Sequence, residues 1–258
     1  MDGVKAFTIM MKDIEVMRVD FELLTYEVIH EKYLPYPIKG RLKEIPRPEN
    51  IKTAYDMTQS LVASRKNEEA VVSWLAGRVL LLSRANAKWI YNLFQFQQTG
   101  TDEQRIRIAM VCRAVSVLDP YWLKFDDDKD ICWSKVDVKQ NPLNEIVAQV
   151  ALHGKSLTLQ GSPVTPELTT NGAYAKAWRR HEDGNLWLYK LGANGNTESR
   201  IEVMCSDLLD KMNVEHVHYE AGKDEDKYVC MCPCMTTENK AILTGMEFQS
   251  YCNVNGID

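Results

Sequence analysis

The chain has no stretch of about 18 consecutive apolar residues, so it cannot place a helix across a membrane; a run such as Val79-Leu80-Leu81-Leu82 is far too short. Its opening, Met1-Asp2-Gly3-Val4-Lys5-Ala6, lacks the apolar region of a secretory leader. A cytoplasmic protein with no membrane contact is the expectation. Runs of Lys and Arg are also missing, and the net charge is −5. Direct nucleic-acid binding, which needs a basic stripe to neutralise phosphates, is therefore not expected. The seven cysteines are an odd number for a secreted disulfide framework, so they read as reduced thiols. Internal repeats and low-complexity tracts are absent.

What remains is ordinary globular material: 258 residues, 45% apolar and 26% charged, enough to bury one large core or two modest ones. Residues 6–11 and 14–21 alternate apolar and polar around Lys12-Asp13, the pattern of a tight β-hairpin, and residues 24–29 supply a third strand. Pro35, Pro37, Pro46 and Pro48 make the following segment a connection with little regular structure. From Lys52 to about Ser116 the period turns helical: Ala54, Met57, Leu61, Val71, Trp74, Leu75 and Val79 recur at three and four residues. A break at Thr99-Gly100-Thr101 precedes a helix expected over residues 106–117, closed by Asp119-Pro120. Residues 121–124 and 135–144 read as mixed turn and strand. The acidic run Asp126-Asp127-Asp128 lacks the glycine and distant glutamate of a calcium loop, and a solvated turn is the better reading.

Gly161-Ser162-Pro163-Val164-Thr165-Pro166 marks a boundary. Beyond it come strands at 174–180 and 186–190 around the turn Glu182-Asp183-Gly184-Asn185, a Gly/Asn loop over 191–197, a helix over 199–212, and strands at 217–220 and 228–232. The expected fold class is α+β: a β-hairpin subdomain in residues 1–50, a helical middle region in 51–160, and a domain in 161–258 with an antiparallel sheet and one helix.

In that last domain a strand ends in Lys190, and a helix carries Glu202 near its start. Protein-kinase folds hold the α- and β-phosphates of ATP with a strand lysine oriented by a helix glutamate. The bland alternative is a surface lysine at a strand end and a glutamate favoured by the helix dipole. Around this unit stand Leu118-Asp119-Pro120-Tyr121-Trp122-Leu123, Cys132-Trp133-Ser134-Lys135-Val136-Asp137 with Asn141-Pro142-Leu143, Pro166-Glu167-Leu168-Thr169-Thr170-Asn171-Gly172, and His216-Val217-His218-Tyr219. In order and spacing these resemble signatures of the HipA-like serine/threonine kinases, in the divergent group found in Firmicutes and their mobile elements. The opening hairpin is similar to the small N-terminal subdomain of that family.

The resemblance implies a kinase N-lobe in residues 161–258, with Thr170, Asn171 and Gly172 in the phosphate-covering loop, Lys190 on the phosphates of ATP, and Glu202 orienting it. An ordinary hairpin turn is the alternative for the loop. His181-Glu182-Asp183-Gly184-Asn185 imitates a kinase catalytic loop but precedes the lysine strand and spaces its Asn too closely. The 24 residues after Cys234 hold no base or magnesium-binding motif of the catalytic half, so this chain alone is not expected to be an active kinase. Weak ATP binding and action through a protein partner (a kinase, toxin or defence component) or through self-association are what the resemblance leaves. The alternative is the N-terminal part of an active kinase whose C-lobe comes from elsewhere. Cys230-Met231-Cys232-Pro233-Cys234 tempts a zinc reading, with His216, His218 or Cys252 completing the set. One-residue spacing places the three thiols in a row on one strand face, and no bound metal is expected, there or elsewhere in the chain. An apolar stretch at 241–248 is expected to offer a surface to a partner.

Overall fold

A computed structural model of the protein describes residues 6–46, 48–193 and 195–257. The opening residues read for a leader, and single positions in the proline-rich connection (Arg47) and in the Gly/Asn loop (Asn194), lie outside the described residues.

The alternating start folds as expected. Strands β1 (Ala6–Met11) and β2 (Ile14–Asp20) form an antiparallel hairpin, and β3 (Thr25–Val28) adds to β2. Alternation sends Phe7, Ile9, Met17 and Val19 to one face, where all are fully buried. The proline-rich connection contributes the short helix α1 (Tyr36–Lys39) and a single 3-10 turn at Pro48–Asn50. Helix α2 (Ala54–Gly77) starts at a capping box in which the Thr53 side chain and the Asp56 carboxylate satisfy each other's backbone N–H. Helices α3 (Ala87–Leu93) and α4 (Asp102–Val111) follow, α4 capped by Thr101.

Helix α4 stops well short of residue 117. Arg113 and Ala114 take positive φ, and Arg113 turns to tertiary partners: its carbonyl accepts the Leu123 N–H and its guanidinium grips Asp128. Two residues of the acidic run are thus paired, Asp128 with Arg113 and Asp126 with Arg18. Strand β4 (Tyr121–Phe125) pairs with β1, so a strand read with the middle region completes the N-terminal sheet, in the order β3-β2-β1-β4. Its approach is fixed by a buried fork: Arg78 of the turn after α2 donates to both Asp119 oxygens at 2.7 and 2.9 Å and lies over the Trp74 ring.

After the short helix α5 (Trp133–Val136), helix α6 (Glu145–His153) packs between α3 and the second sheet. Sequence reading missed α6, although Asn144 caps it and Gly154 closes it at φ +69°. The second sheet is β5 (Ala175–Arg180), β6 (Leu186–Leu191), β7 (Glu220–Asp224) and β8 (Lys227–Pro233), in the order β5-β6-β8-β7, with helix α7 (Thr197–Lys211) between β6 and β7. The strand expected at 217–220 starts only at Glu220, because the residues before it turn their polar groups to α7. The order strand, strand, helix, strand, strand is the one read from the sequence, and the molecule is α+β.

One apolar core runs from Phe7 and Ile9 through Trp74, Ile90 and Leu152 to Ala177, Leu191 and Val229, and a second cluster joins Met10 and Trp122 of the first sheet to Trp178 and Leu186 of the second. The stretch after β8 crosses this seam, with the Thr236 hydroxyl donating to the Val117 carbonyl and the Ile242 N–H to that of Leu118. It ends in helix α8 (Gly245–Asn255), which packs on α1 through Tyr251 against Tyr36, ring centroids 4.8 Å apart. The tail therefore folds back on the N-terminal region, while Leu243, Met246 and Phe248 stay exposed. Among the described residues no helix is long and apolar enough to cross a membrane.

Candidate phosphate-binding site

Strand β6 is the second strand in from the β5 edge of its sheet, and its Lys190 lies across from Lys176 of β5 and Cys230 of β8. The chain then turns sharply into α7. Gly192 makes that turn possible: a Cβ there would meet the Ser199 nitrogen at 3.0 Å and the Asn196 Cα at 3.1 Å. Ser199, in the first turn of the helix, donates its hydroxyl proton to the Lys190 carbonyl at 3.2 Å. This bond seats α7 against the strand and brings Glu202 over the lysine.

The two residues singled out from sequence meet. Lys190 Nζ donates to Glu202 Oε1 at 3.1 Å and Oε2 at 3.2 Å, and to the Tyr219 hydroxyl at 2.7 Å. Its side chain is 15% exposed and that of Glu202 35%, so the pair is neither sealed nor fully wet. Burial works against the ammonium, but the Tyr219 hydroxyl and the Glu202 carboxylate outweigh it and leave the Lys190 pKa raised. Glu202 also accepts the Cys230 thiol proton at 2.9 Å. Burial first, and then that carboxylate, push the Cys230 thiol up to about 12, and burial raises Cys232 as well. A cysteine binds zinc as its thiolate; both of these thiols are buried, and Cys230 contacts the lysine–glutamate pair.

The loop at 170–172 is fastened to the helical region rather than draped freely. Arg84, buried in the turn after α2, donates to the carbonyls of Glu167 and Thr170 at 2.9 and 3.0 Å and of Lys176 at 2.6 Å. The Thr170 hydroxyl donates to Pro166 and accepts the Trp178 indole N–H at 2.9 Å, and the Asn171 amide donates to the Gly77 carbonyl at 3.3 Å. Glu167, fully buried, accepts the Thr165 hydroxyl and the Trp178 N–H. At the tip Asn171 and Gly172 are exposed, and among the described residues their N–H groups have no hydrogen-bond partner. Gly172 has φ +109°, and a Cβ on it would lie 2.2 Å from Lys176 Nζ.

Lys176 links loop and pair, and sequence reading missed it. It is 7% exposed, its Nζ makes one hydrogen bond, to the Asn171 carbonyl at 2.9 Å, and it stands beside Lys190 across the ladder. An ammonium has three protons to donate, so this one is under-satisfied. Burial, then Arg84 and Lys190, lower its pKa to about 8. The signal available was Lys176 near the start of the strand Ala175-Lys176-Ala177-Trp178-Arg179-Arg180, but which lysine it would face is set by strand register. Tyr219 and Arg84 were likewise invisible as site residues, one placed by a loop and the other by a distant turn.

The arrangement can do one thing well, which is to hold an anion. Free N–H groups on a tight loop and two neighbouring ammonium groups, one positioned by a carboxylate, suit a phosphate. The mimic of a catalytic loop at 181–185 is the β5–β6 turn, where His181 stacks on Trp187 with ring centroids 4.6 Å apart and bonds the Tyr189 hydroxyl. The cavity of about 150 Å³ between Lys12, Asp119, Asp137 and the 237–241 tail contains neither Lys190 nor Glu202 and is small for a nucleotide. No family model, curated protein or solved structure matches the chain.

Proposed function

We propose that residues 161–258 are a kinase N-lobe-like unit, HipA-like in type, that holds the phosphates of a nucleotide such as ATP between the 170–172 loop and Lys190. The observation that carries this reading is the Lys190 ammonium held by both oxygens of Glu202, in a strand–helix setting of the order kinases use. Lys190 meets the phosphate, Glu202 fixes its direction, and Lys176 adds a second positive charge beneath the loop. The described residues supply one wall of such a site, so this chain by itself is expected to bind a nucleotide weakly. Titration calorimetry with ATP and Mg²⁺ tests it. One charge-assisted contact contributes about 1.5–3 kcal/mol, so Lys190→Ala should weaken binding by roughly 10- to 100-fold. Binding that is absent from the wild type, or unchanged by the substitution, overturns the reading.

A second role, protein interaction, is favoured by α7 itself. Its only buried residues are Ser199 and Ser206, while Ile201, Met204, Leu208 and Met212, spaced three and four apart, are 51–68% exposed. An apolar stripe turned outward on the helix that carries Glu202 is a surface for another polypeptide or a second copy of the chain, and it would let a partner set the position of the glutamate.

A further inference from the structure

At the C-terminal end of α7, away from the lysine, one carboxylate and two imidazoles converge. Asp210 lies in the last turn, and His216 and His218 stand on the extended segment that returns toward β7. Each offers a ligand atom, and these atoms all lie within 4.8 Å of one another. His216 Nε2 is 3.7 Å from one Asp210 oxygen, and His218 Nδ1 is 3.1 Å from the other. Bonds of about 2.0–2.1 Å in a tetrahedron place ligand atoms roughly 3.3 Å apart, so side-chain adjustments of about 1.5 Å or less bring the three into range.

The His216 ring is also set for the task. His216 Nδ1 lies 2.8 Å from the Val214 carbonyl oxygen, which fixes the proton on that nitrogen and leaves the lone pair on Nε2, 3.7 Å from Asp210. A main-chain carbonyl on the far nitrogen is the usual way a metal-binding histidine is oriented. On the inner side the Ser206 hydroxyl, 2.9 Å from His216 Nε2, is the group a metal would displace. The nearby Asp207 and Glu215 are exposed and add negative charge.

We infer that Asp210, His216 and His218 form a binding site for a late first-row divalent cation, zinc in type. Two imidazoles and a carboxylate select such ions over magnesium or calcium, which prefer all-oxygen shells. Three protein ligands leave a coordination position for water. The ion would pin the end of α7 to the segment that delivers Tyr219, whose N–H is held by Ser206 at 2.9 Å and whose hydroxyl contacts Lys190. The site does not depend on the nucleotide reading.

The test is calorimetric titration of the chelator-stripped full chain with zinc chloride, with magnesium and calcium chlorides as controls. One zinc per chain is expected, with no heat from the controls. His216→Ala/His218→Ala should remove that equivalent, and Asp210→Asn, at an exposed position, should weaken it at least tenfold without altering the circular dichroism of the metal-free chain. Cobalt(II) identifies the ligands: imidazole and carboxylate give weak visible bands, whereas thiolates give intense near-ultraviolet charge transfer. Lys190→Ala should leave zinc binding unchanged. No zinc uptake by the wild type, uptake that survives both the double variant and Asp210→Asn, or a thiolate band at one equivalent would each overturn the assignment.

Discussion

At the scale of single residues, Lys176 and Gly172 decide how the site responds to conditions. Because burial holds the Lys176 pKa near 8, its charge is present below that pH and lost as pH rises through it. Affinity for inorganic phosphate or ATP should therefore fall across pH 7 to 9, and Lys176→Met should flatten that profile. A profile unchanged by the substitution would remove Lys176 from the site. Gly172→Ala introduces a Cβ at φ +109°, a backbone region costly for any side chain, and drives it into Lys176 Nζ. The lysine tip can swing aside, so backbone strain sets the stability loss at about 1–3 kcal/mol, read as a lower denaturation midpoint, together with weaker anion binding. Of the loop residues singled out from sequence, Thr170 is a fastener, and Asn171 and Gly172 form the open tip. Lys176 stayed unread because a lone lysine in a strand carries no mark of what lies across the ladder.

Among the elements, the joint between α2 and β4 rests on the Arg78–Asp119 fork, with side chains 8% and 12% exposed. Asp119→Ala leaves a guanidinium buried without its carboxylate, and breaking such a pair costs about 3–5 kcal/mol. Urea denaturation should show that loss; a change under 1 kcal/mol would mean that water replaces the carboxylate. Helix α7 invites the opposite experiment. Met204→Asp with Leu208→Asp alters exposed positions and should leave the melting curve almost unmoved while abolishing any concentration-dependent self-association in light scattering. Association that persists would move the interface elsewhere, to the exposed Met246 and Phe248 of α8 for instance.

For the molecule as a whole, acid should open the fold in a telling order, because two carboxylates tie its parts together. Burial would raise both Asp128 and Asp224, but the Arg113 guanidinium holds the first, and Arg179 with His153 the second, below the ordinary carboxylate value. A folded pKa below the unfolded one stabilises fully above the unfolded value and is lost as pH falls. Stability should accordingly be flat near neutrality with respect to these groups and decline below about pH 4, near the free aspartate value. Asp128→Asn and Asp224→Asn should each shallow that decline, as read from urea midpoints across pH 2.5–6.

The sequence by itself determined the local elements: the opening hairpin by alternation around Lys12-Asp13, α2 by its period and its Thr53 cap, and the strand–strand–helix–strand–strand order that brings Lys190 to Glu202. Each rests on contacts between residues near in the chain, where spacing alone fixes which side chains share a face. Only the tertiary structure decided that β4 closes the N-terminal sheet, that α6 fills the space against β5, that Arg84 clamps the 170–172 loop, and that Asp210 meets His216 and His218. Register, loop path and helix placement answer to burial summed over the whole core, and no window of sequence contains that sum.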